Sequence, residues 1–472
     1  MVPLLTDAKT EGRARTVPAT WVVLAVTCAG QFMVVLDVSV VNVALPAMRR
    51  SLGFDTVGLQ WVVTAYALTF AGFLLLGGRL ADLYGRKRIF LLGLALFSVS
   101  SLVGGLSATP GMLIAARAVQ GLGAAVLAPA TLTILTTTFS GTAERTRALA
   151  AWAATGAAGG AAGSLIGGVL TDYLSWRWIL LINVPIGAVV IVLATYVITE
   201  GTGPTGRRLD VPGAVLATGS LTAIVYGIVQ TQTRGWGDPQ TLGSLAGGFL
   251  ALGAFLLVEG RVAKAPLMPL RLFRSRGVSV GNFVILLLGA SFIPMWYFLS
   301  LYMQNVLHYS PLKAGLGFLP HTLAIIAGAR LAPYVLPRVG ARLLIAVGAV
   351  SAAAGFLWQA QLSPTGTYVS ELLGPALLMC AGVGLMMTSV TTTVTSGADR
   401  SDAGIASGLM NAMRQVGGSL GLAVLATLTG RHGTSPAALT SGYSHAFLAI
   451  AAFLALVAAV SPALPAKAAA TA

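Results

Sequence analysis

Fourteen stretches of this 472-residue chain are apolar over a length that crosses a bilayer, and little sequence is left between them. They lie near 20–44, 58–78, 88–107, 111–138, 148–170, 177–198, 211–231, 241–259, 279–304, 313–336, 341–361, 370–395, 404–430 and 442–462. A hydrocarbon core of about 30 Å takes roughly 20 apolar residues as a helix. Unpaired backbone N–H and C=O groups are too costly there, so only helices and closed barrels cross. A barrel would show segments of about ten residues with alternating polarity, and none occurs here. The expected fold class is an all-α integral membrane protein. Only 9% of residues are charged, against about 25% in a soluble domain, which leaves no room for a sizeable soluble domain.

The net charge of +15 would suit a nucleic-acid partner, but its distribution argues against one. With the N-terminus assigned to the cytoplasm, 20 of the 29 Lys and Arg fall in cytoplasmic tails and loops and 6 on the opposite side. The other 3, Arg117, Arg330 and Arg414, fall inside spans. That bias obeys the positive-inside rule with both termini cytoplasmic, and it makes the lipid bilayer the expected neighbour. Asp7, Lys9, Glu11, Arg13 and Arg15 precede the first span, and no small-residue cleavage site follows it. An uncleaved anchor is expected in place of a removed signal peptide. Cys28 and Cys380 both sit in apolar runs, as small core residues with no disulfide between them.

A faint repeat divides the chain. Gly78-Arg79-Leu80-Ala81 returns as Ala329-Arg330-Leu331-Ala332, each followed by basic residues, although Pro333 stands where the first copy has Asp82. Duplicated halves with a site between them are a recurring transporter plan. The expected halves are 1–200 and 278–472, six helices each. Between them, 201–277 holds two further helices and the basic linker Pro269–Arg276.

The loop Gly77-Gly78-Arg79-Leu80-Ala81-Asp82-Leu83-Tyr84-Gly85-Arg86-Lys87-Arg88 sets five charges between two apolar runs. It closely resembles the loop between the second and third helices of the major facilitator superfamily. With the inserted central pair, the chain is similar to that family's drug:proton antiporter branch with fourteen spans. The resemblance implies two six-helix bundles plus two inserted helices. It also implies a conformational gating loop built from Gly78, Asp82, Gly85, Arg86 and Arg88.

Asp37 is the one acidic residue well inside an expected span, in Leu36-Asp37-Val38-Ser39-Val40-Val41-Asn42-Val43-Ala44-Leu45-Pro46. A carboxylate in hydrocarbon is expensive unless paired or neutralised, which makes it a functional-site candidate. Two readings stand: a proton carrier, or a structural hydrogen-bonding Asp near the helix end. The eleven residues resemble the first-helix motif of the fourteen-span exporters, which implies the former. Arg117 is the natural counter-charge, with Gln120 and Gly121 at i+3 and i+4 on its face. Its surroundings resemble the family's fourth-helix motif, whose arginine is tied to proton coupling. An arginine held by backbone carbonyls is the alternative.

Gly156, Gly160, Gly163 and Gly167 form a stripe down one face of the fifth span, the pattern that lets membrane helices approach closely. The segment is similar to the family's antiporter-associated motif, but Gly163-Ser164 departs from the usual Gly-Pro. In the second half, Tyr302-Met303-Gln304 and Gly404–Gly418 resemble their counterparts in the same branch. Ser407, Asn411, Arg414 and Gly418 follow helical spacing and give the thirteenth span a polar face. His321 is either a second titrating group or a hydrogen-bonded core residue. The expected substrate cavity gathers Asn42, Gln120, Trp152, Trp296, Gln304, His321, Asn411 and Arg414, with Trp61, Tyr66, Tyr297 and Trp358 as further aromatic candidates.

No Gly-Lys dipeptide occurs, so there is no P-loop and no ATP motor. No cofactor is implied, and neither a His-Glu-x-x-His run nor a cysteine cluster offers a metal site. An ion gradient is then the expected energy source. One charge moved through ~100 mV yields about 2.3 kcal/mol, roughly a fifty-fold substrate gradient per proton. The resemblance implies a plasma-membrane transporter, monomeric in function, that exports small hydrophobic molecules such as antibiotics in exchange for protons. A proton-coupled nutrient uptake carrier is the first alternative. A membrane sensor or lipid-modifying enzyme is the second, and it would need a soluble domain or a nucleophile–base set that the sequence lacks.

Overall fold

The structure, a computed structural model, describes residues 20–139, 141–200, 210–263, 266–399, 402–429 and 435–465. The charged residues before the first span lie outside that set. All regular structure among the described residues is helical.

The first half comprises α1 (Thr20–Leu52), α2 (Thr56–Leu59), α3 (Trp61–Tyr84), α4 (Arg86–Gly105), α5 (Pro110–Thr138), α6 (Thr142–Tyr173), α7 (Trp178–Leu181) and α8 (Asn183–Val197). Two helices follow, α9 (Val211–Gln230) and α10 (Pro239–Leu257). The second half holds α11 (Arg276–Asn305), α12 (Pro311–Gly317), α13 (Leu319–Gln359), α14 (Gly374–Ser396), α15 (Ala403–Thr429) and α16 (Pro436–Val460).

Twelve stretches among the described residues are long and apolar enough to cross a membrane. They account for the fourteen apolar runs of the sequence in all but two places. The runs 313–336 and 341–361 fall in one stretch, Pro311–Gln359, broken at Gly340. The run 404–430 is α15, whose polar face keeps it out of the twelve. An unbroken helix over the 41 residues of α13 would be about 60 Å long, twice the bilayer core of about 30 Å. Instead the chain doubles back at Gly340, where φ is 78°. Gly328 and Gly348, on either side of the break, both pack against the Ala381–Gly382 backbone of α14.

Gly85, between α3 and α4, has the same unusual backbone (φ 96°, ψ 133°). The two copies of the sequence repeat thus end in matched glycine turns, although extra residues separate Arg330 from Gly340. A side chain at either glycine would be strained, because L residues rarely adopt φ in this region.

Glycine also sets the helix contacts. The α6 stripe lies along α1: a Cβ at Gly163 would come 2.5 Å from Ser39 Cβ, and one at Gly167 3.0 Å from Val40 Cα. Gly156 and Gly160 are looser, with their nearest neighbours on α1 at 3.6 and 3.9 Å. In the second half Gly289, Gly417 and Gly421 bring α11 against α15 in the same way. The intervening α9 packs where α3 meets α15, through Leu68, Val225, Val229 and Ala423.

Candidate functional site

A cavity of about 620 Å³ lies between the halves. Its lining runs from Asn42 and Trp296 to Gly78, Arg79, Thr133 and Gly404. The last four sit near helix ends on the side of the Gly85 and Gly340 turns, so the cavity opens toward that side. Trp152 is held at its wall by an indole hydrogen bond, Nε1 to Thr131 Oγ1 at 3.0 Å.

The opposite end is sealed by bonds across the seam. Ser300 Oγ donates to the Asn42 carbonyl at 2.7 Å, and Gln304 Nε2 to the Val43 carbonyl at 2.8 Å. Asp172 accepts from the Leu312 amide at 3.0 Å, and Gly315 of α12 lies against the Ser164 backbone of α6. Pro46 lies just beyond the seal, inside α1. Past it is a second cavity of about 420 Å³, bordered by Arg49, Arg50, Gln304 and His308.

Of the residues expected at the cavity, Asn42, Trp152, Trp296, Asn411 and Arg414 line it. Three do not. Gln304 points across the seam and belongs to the seal. Gln120 faces the interior of the first half. His321 is fully buried behind Trp296 and Phe318, with Nδ1 3.2 Å from the Gly317 carbonyl and Nε2 unpartnered. Helical spacing places a residue on a face but does not say which neighbour that face meets. Arg330 is exposed outside the cavity. The other aromatics serve elsewhere: Trp61 meets Tyr226 at a tilt, the Tyr66 ring covers Arg117, Tyr297 borders the second cavity, and Trp358 is half exposed.

Asp37 and Arg117 meet inside the first half. Arg117 Nη1 donates to Asp37 Oδ2 at 2.5 Å, and neither side chain reaches solvent (0% and 2% exposed). Gln120 bridges the pair, accepting from Arg117 at 2.7 Å and donating to Asp37 Oδ1 at 2.7 Å. Arg117 Nε donates to the Val62 carbonyl, and the Tyr66 ring covers the guanidinium at 4.4 Å. Ser101 accepts from Gln120 at 2.6 Å, and Asn183 lies 3.4 Å from both Asp37 and Ser101. A buried pair persists when its remaining hydrogen-bonding positions are filled, and this shell fills most of them. The sequence does not flag Ser101 or Asn183 as members of this shell, and it marks Tyr66 only as an aromatic candidate for the cavity.

In the charged loop, Gly78 lines the cavity. Lys87 Nζ donates to the Thr195 carbonyl at 2.5 Å, and Arg88 lies 3.8 Å from Glu200. The loop therefore rests on the end of α8, and Glu200 is a partner that no sequence pattern singles out. The side chain of Asp82 lies outside the described residues. Glu259 is another such residue: it is buried just past the end of α10 and accepts from the Leu267 and Met268 amides.

The Major Facilitator Superfamily family model matches residues 27–422. A cephamycin export protein of Amycolatopsis lactamdurans is 52% identical over 469 residues, spanning 98% of this chain and 96% of its own length. A puromycin resistance protein of Streptomyces alboniger is 41% identical, spanning 92% and 88%. Among solved structures, an auto-inhibited POT family peptide transporter shares the fold with a TM-score of 0.70 at 15% identity, over 93% of this chain and 96% of that one. A variant of the nucleoside transporter NupG does so at 0.66 and 14%, over 94% and 99%. Twelve stretches fit to cross a membrane among the described residues, together with the family match along most of its length, show that this chain is a multi-pass membrane protein belonging to the major facilitator superfamily.

Proposed function

We propose that the protein exports small, largely hydrophobic molecules of antibiotic type in exchange for protons. The observation that carries this reading is the placing of cavity and ion pair on one helix. Val38, Ser39 and Asn42 of α1 line the cavity, while Asp37 of the same helix is held in the buried pair with Arg117. Protonating Asp37 would release Arg117 and free α1 to shift, and that shift would be felt at the cavity and at the Asn42 and Val43 carbonyls of the seal. Substrate and proton then act through one movable element, as alternating access requires. The relatives named for export and resistance support the outward direction over nutrient uptake.

In this reading the chain crosses the bilayer fourteen times. Pro311–Gln359 supplies two spans joined at Gly340, and α15 supplies another. Residues 1–200 and 278–472 are the two halves, 201–277 is the insertion, and both termini are cytoplasmic, so the open cavity faces the cytoplasm. The chain works as a monomer in the plasma membrane.

Inverted vesicles carrying the protein test it. An imposed proton gradient should drive drug accumulation inside while protons leave, and a compound panel against a hypersensitive host should show resistance. Drug and protons moving in the same direction would establish uptake instead.

A further inference from the structure

We infer that the cavity is built for organic anions, holding an apolar body against Phe292, Ile293 and Trp296 and a carboxylate or sulfonate on Arg414. The inference rests on the transport reading and names the substrate class for it.

The charges of the cavity carry the argument. Among its described lining residues the charged ones are Arg79 and Arg414, with no Asp, Glu or Lys beside them. Arg414 takes part in none of the three ion pairs among the described residues. Its partner is Asn411, which accepts from Nη2 at 2.9 Å. That bond orients the guanidinium and leaves most of its five N–H donors free. Guanidinium cannot discharge, and its planar fork matches carboxylate oxygens in pairs. Asp37 does not compensate it, because that carboxylate is already paired with Arg117 inside the first half.

Position makes Arg414 a binding group and Arg79 a guide. Arg414 lies eleven residues into α15, roughly 17 Å along a helix and far from either of its ends. Gly289 packs against its backbone, so its Cα cannot move away freely. Arg79 lies five residues from the end of α3, at the mouth, where a positive charge draws anions inward. A volume of about 620 Å³ falls in the range of roughly 300–1,000 Å³ that holds drug-sized ligands.

The test uses two compounds with one ring skeleton: 8-anilinonaphthalene-1-sulfonate and the neutral N-phenyl-1-naphthylamine. Equilibrium dialysis with the full-length protein in lipid nanodiscs, empty nanodiscs subtracted, gives both affinities. The sulfonate should bind at least about tenfold more tightly, and Arg414→Gln should remove that preference by weakening the sulfonate roughly 10- to 100-fold. The neutral compound should hold its affinity within about twofold, because it makes no charged hydrogen bond. Arg414→Lys should keep part of the preference. Equal binding of both compounds by the wild type, or a preference that survives Arg414→Gln, overturns the inference. If Arg414→Gln does not assemble, Asn411→Leu replaces it, and an unchanged preference there also overturns it. Export is read separately in proteoliposomes: a proton gradient that moves neither compound removes the transport reading, while the dialysis result still decides the anion site.

Discussion

Asp37 Oδ2 and Arg117 Nη1 stand 2.5 Å apart, buried from solvent in the first half, yet the next two residues of α1, Val38 and Ser39, face the cavity. In the proposed reading, proton site and substrate site are two sides of one helix. Competition between drug and proton need not be direct, since the position of α1 can carry it.

Asp37→Asn should abolish proton-driven export while substrate exchange without a gradient continues. It also leaves Arg117 buried without a counter-charge, which costs about 3–5 kcal/mol of stability. The double variant Asp37→Asn/Arg117→Gln should recover much of that stability but none of the uphill transport. Thermal unfolding and counterflow in proteoliposomes separate the two effects. Uphill export at the wild-type rate in Asp37→Asn would place the proton site elsewhere, with His321 the next group to test.

The seal should weaken without its two hydrogen bonds. Ser300→Ala with Gln304→Leu removes the donors to the Asn42 and Val43 carbonyls, about 2 kcal/mol together at roughly 1 kcal/mol each. These bonds exist only with that end closed, so the population should shift toward the arrangement open there. Spin-label distances across the seal would show a growing long component; an unchanged distribution would mean that the apolar packing alone holds the seal.

Gly85→Ala and Gly340→Ala should each destabilise by about 1–3 kcal/mol, because alanine at these φ values is strained. At Gly85 there is a second cost, since the new methyl would meet the Glu200 side chain. Glu200→Ala should relieve that part only. Melting temperatures of the two single variants and the pair distinguish strain from collision.

Along the α6 stripe, tolerance should follow distance. Gly156→Ala should be near neutral, its nearest neighbour being 3.6 Å away, whereas Gly163→Val should force α1 and α6 apart at Ser39. The yield of monodisperse protein after solubilisation measures this, and equal yields would show that α1 can retreat without cost.

Part of the site is legible in the amino-acid sequence. An ionised group in hydrocarbon is costly enough to stand out, so Asp37 and Arg117 are visible as isolated charges in apolar runs. Helical spacing likewise puts Asn411 and Arg414 on one face and the four glycines on another. Gln120, Gln304 and His321 meet neighbours other than the expected cavity, because the period of a helix is local whereas the helix it meets is chosen by packing far away in sequence. Glu200 carries no mark, as an acidic residue after a span is ordinary until a loop more than a hundred residues earlier is laid on it.

The sequence by itself determined that this protein is a bundle of membrane helices, because burying polar backbone and side chains in lipid is so costly that composition and periodicity must obey it. Tertiary structure alone decided which end is sealed, and that the ion pair lies behind α1 and outside the cavity. It also decided that Arg414 faces the cavity with no carboxylate among the described lining residues. Those outcomes depend on close approach between helices distant in sequence, set by glycines and a few hydrogen bonds across the seam, and no single segment encodes them.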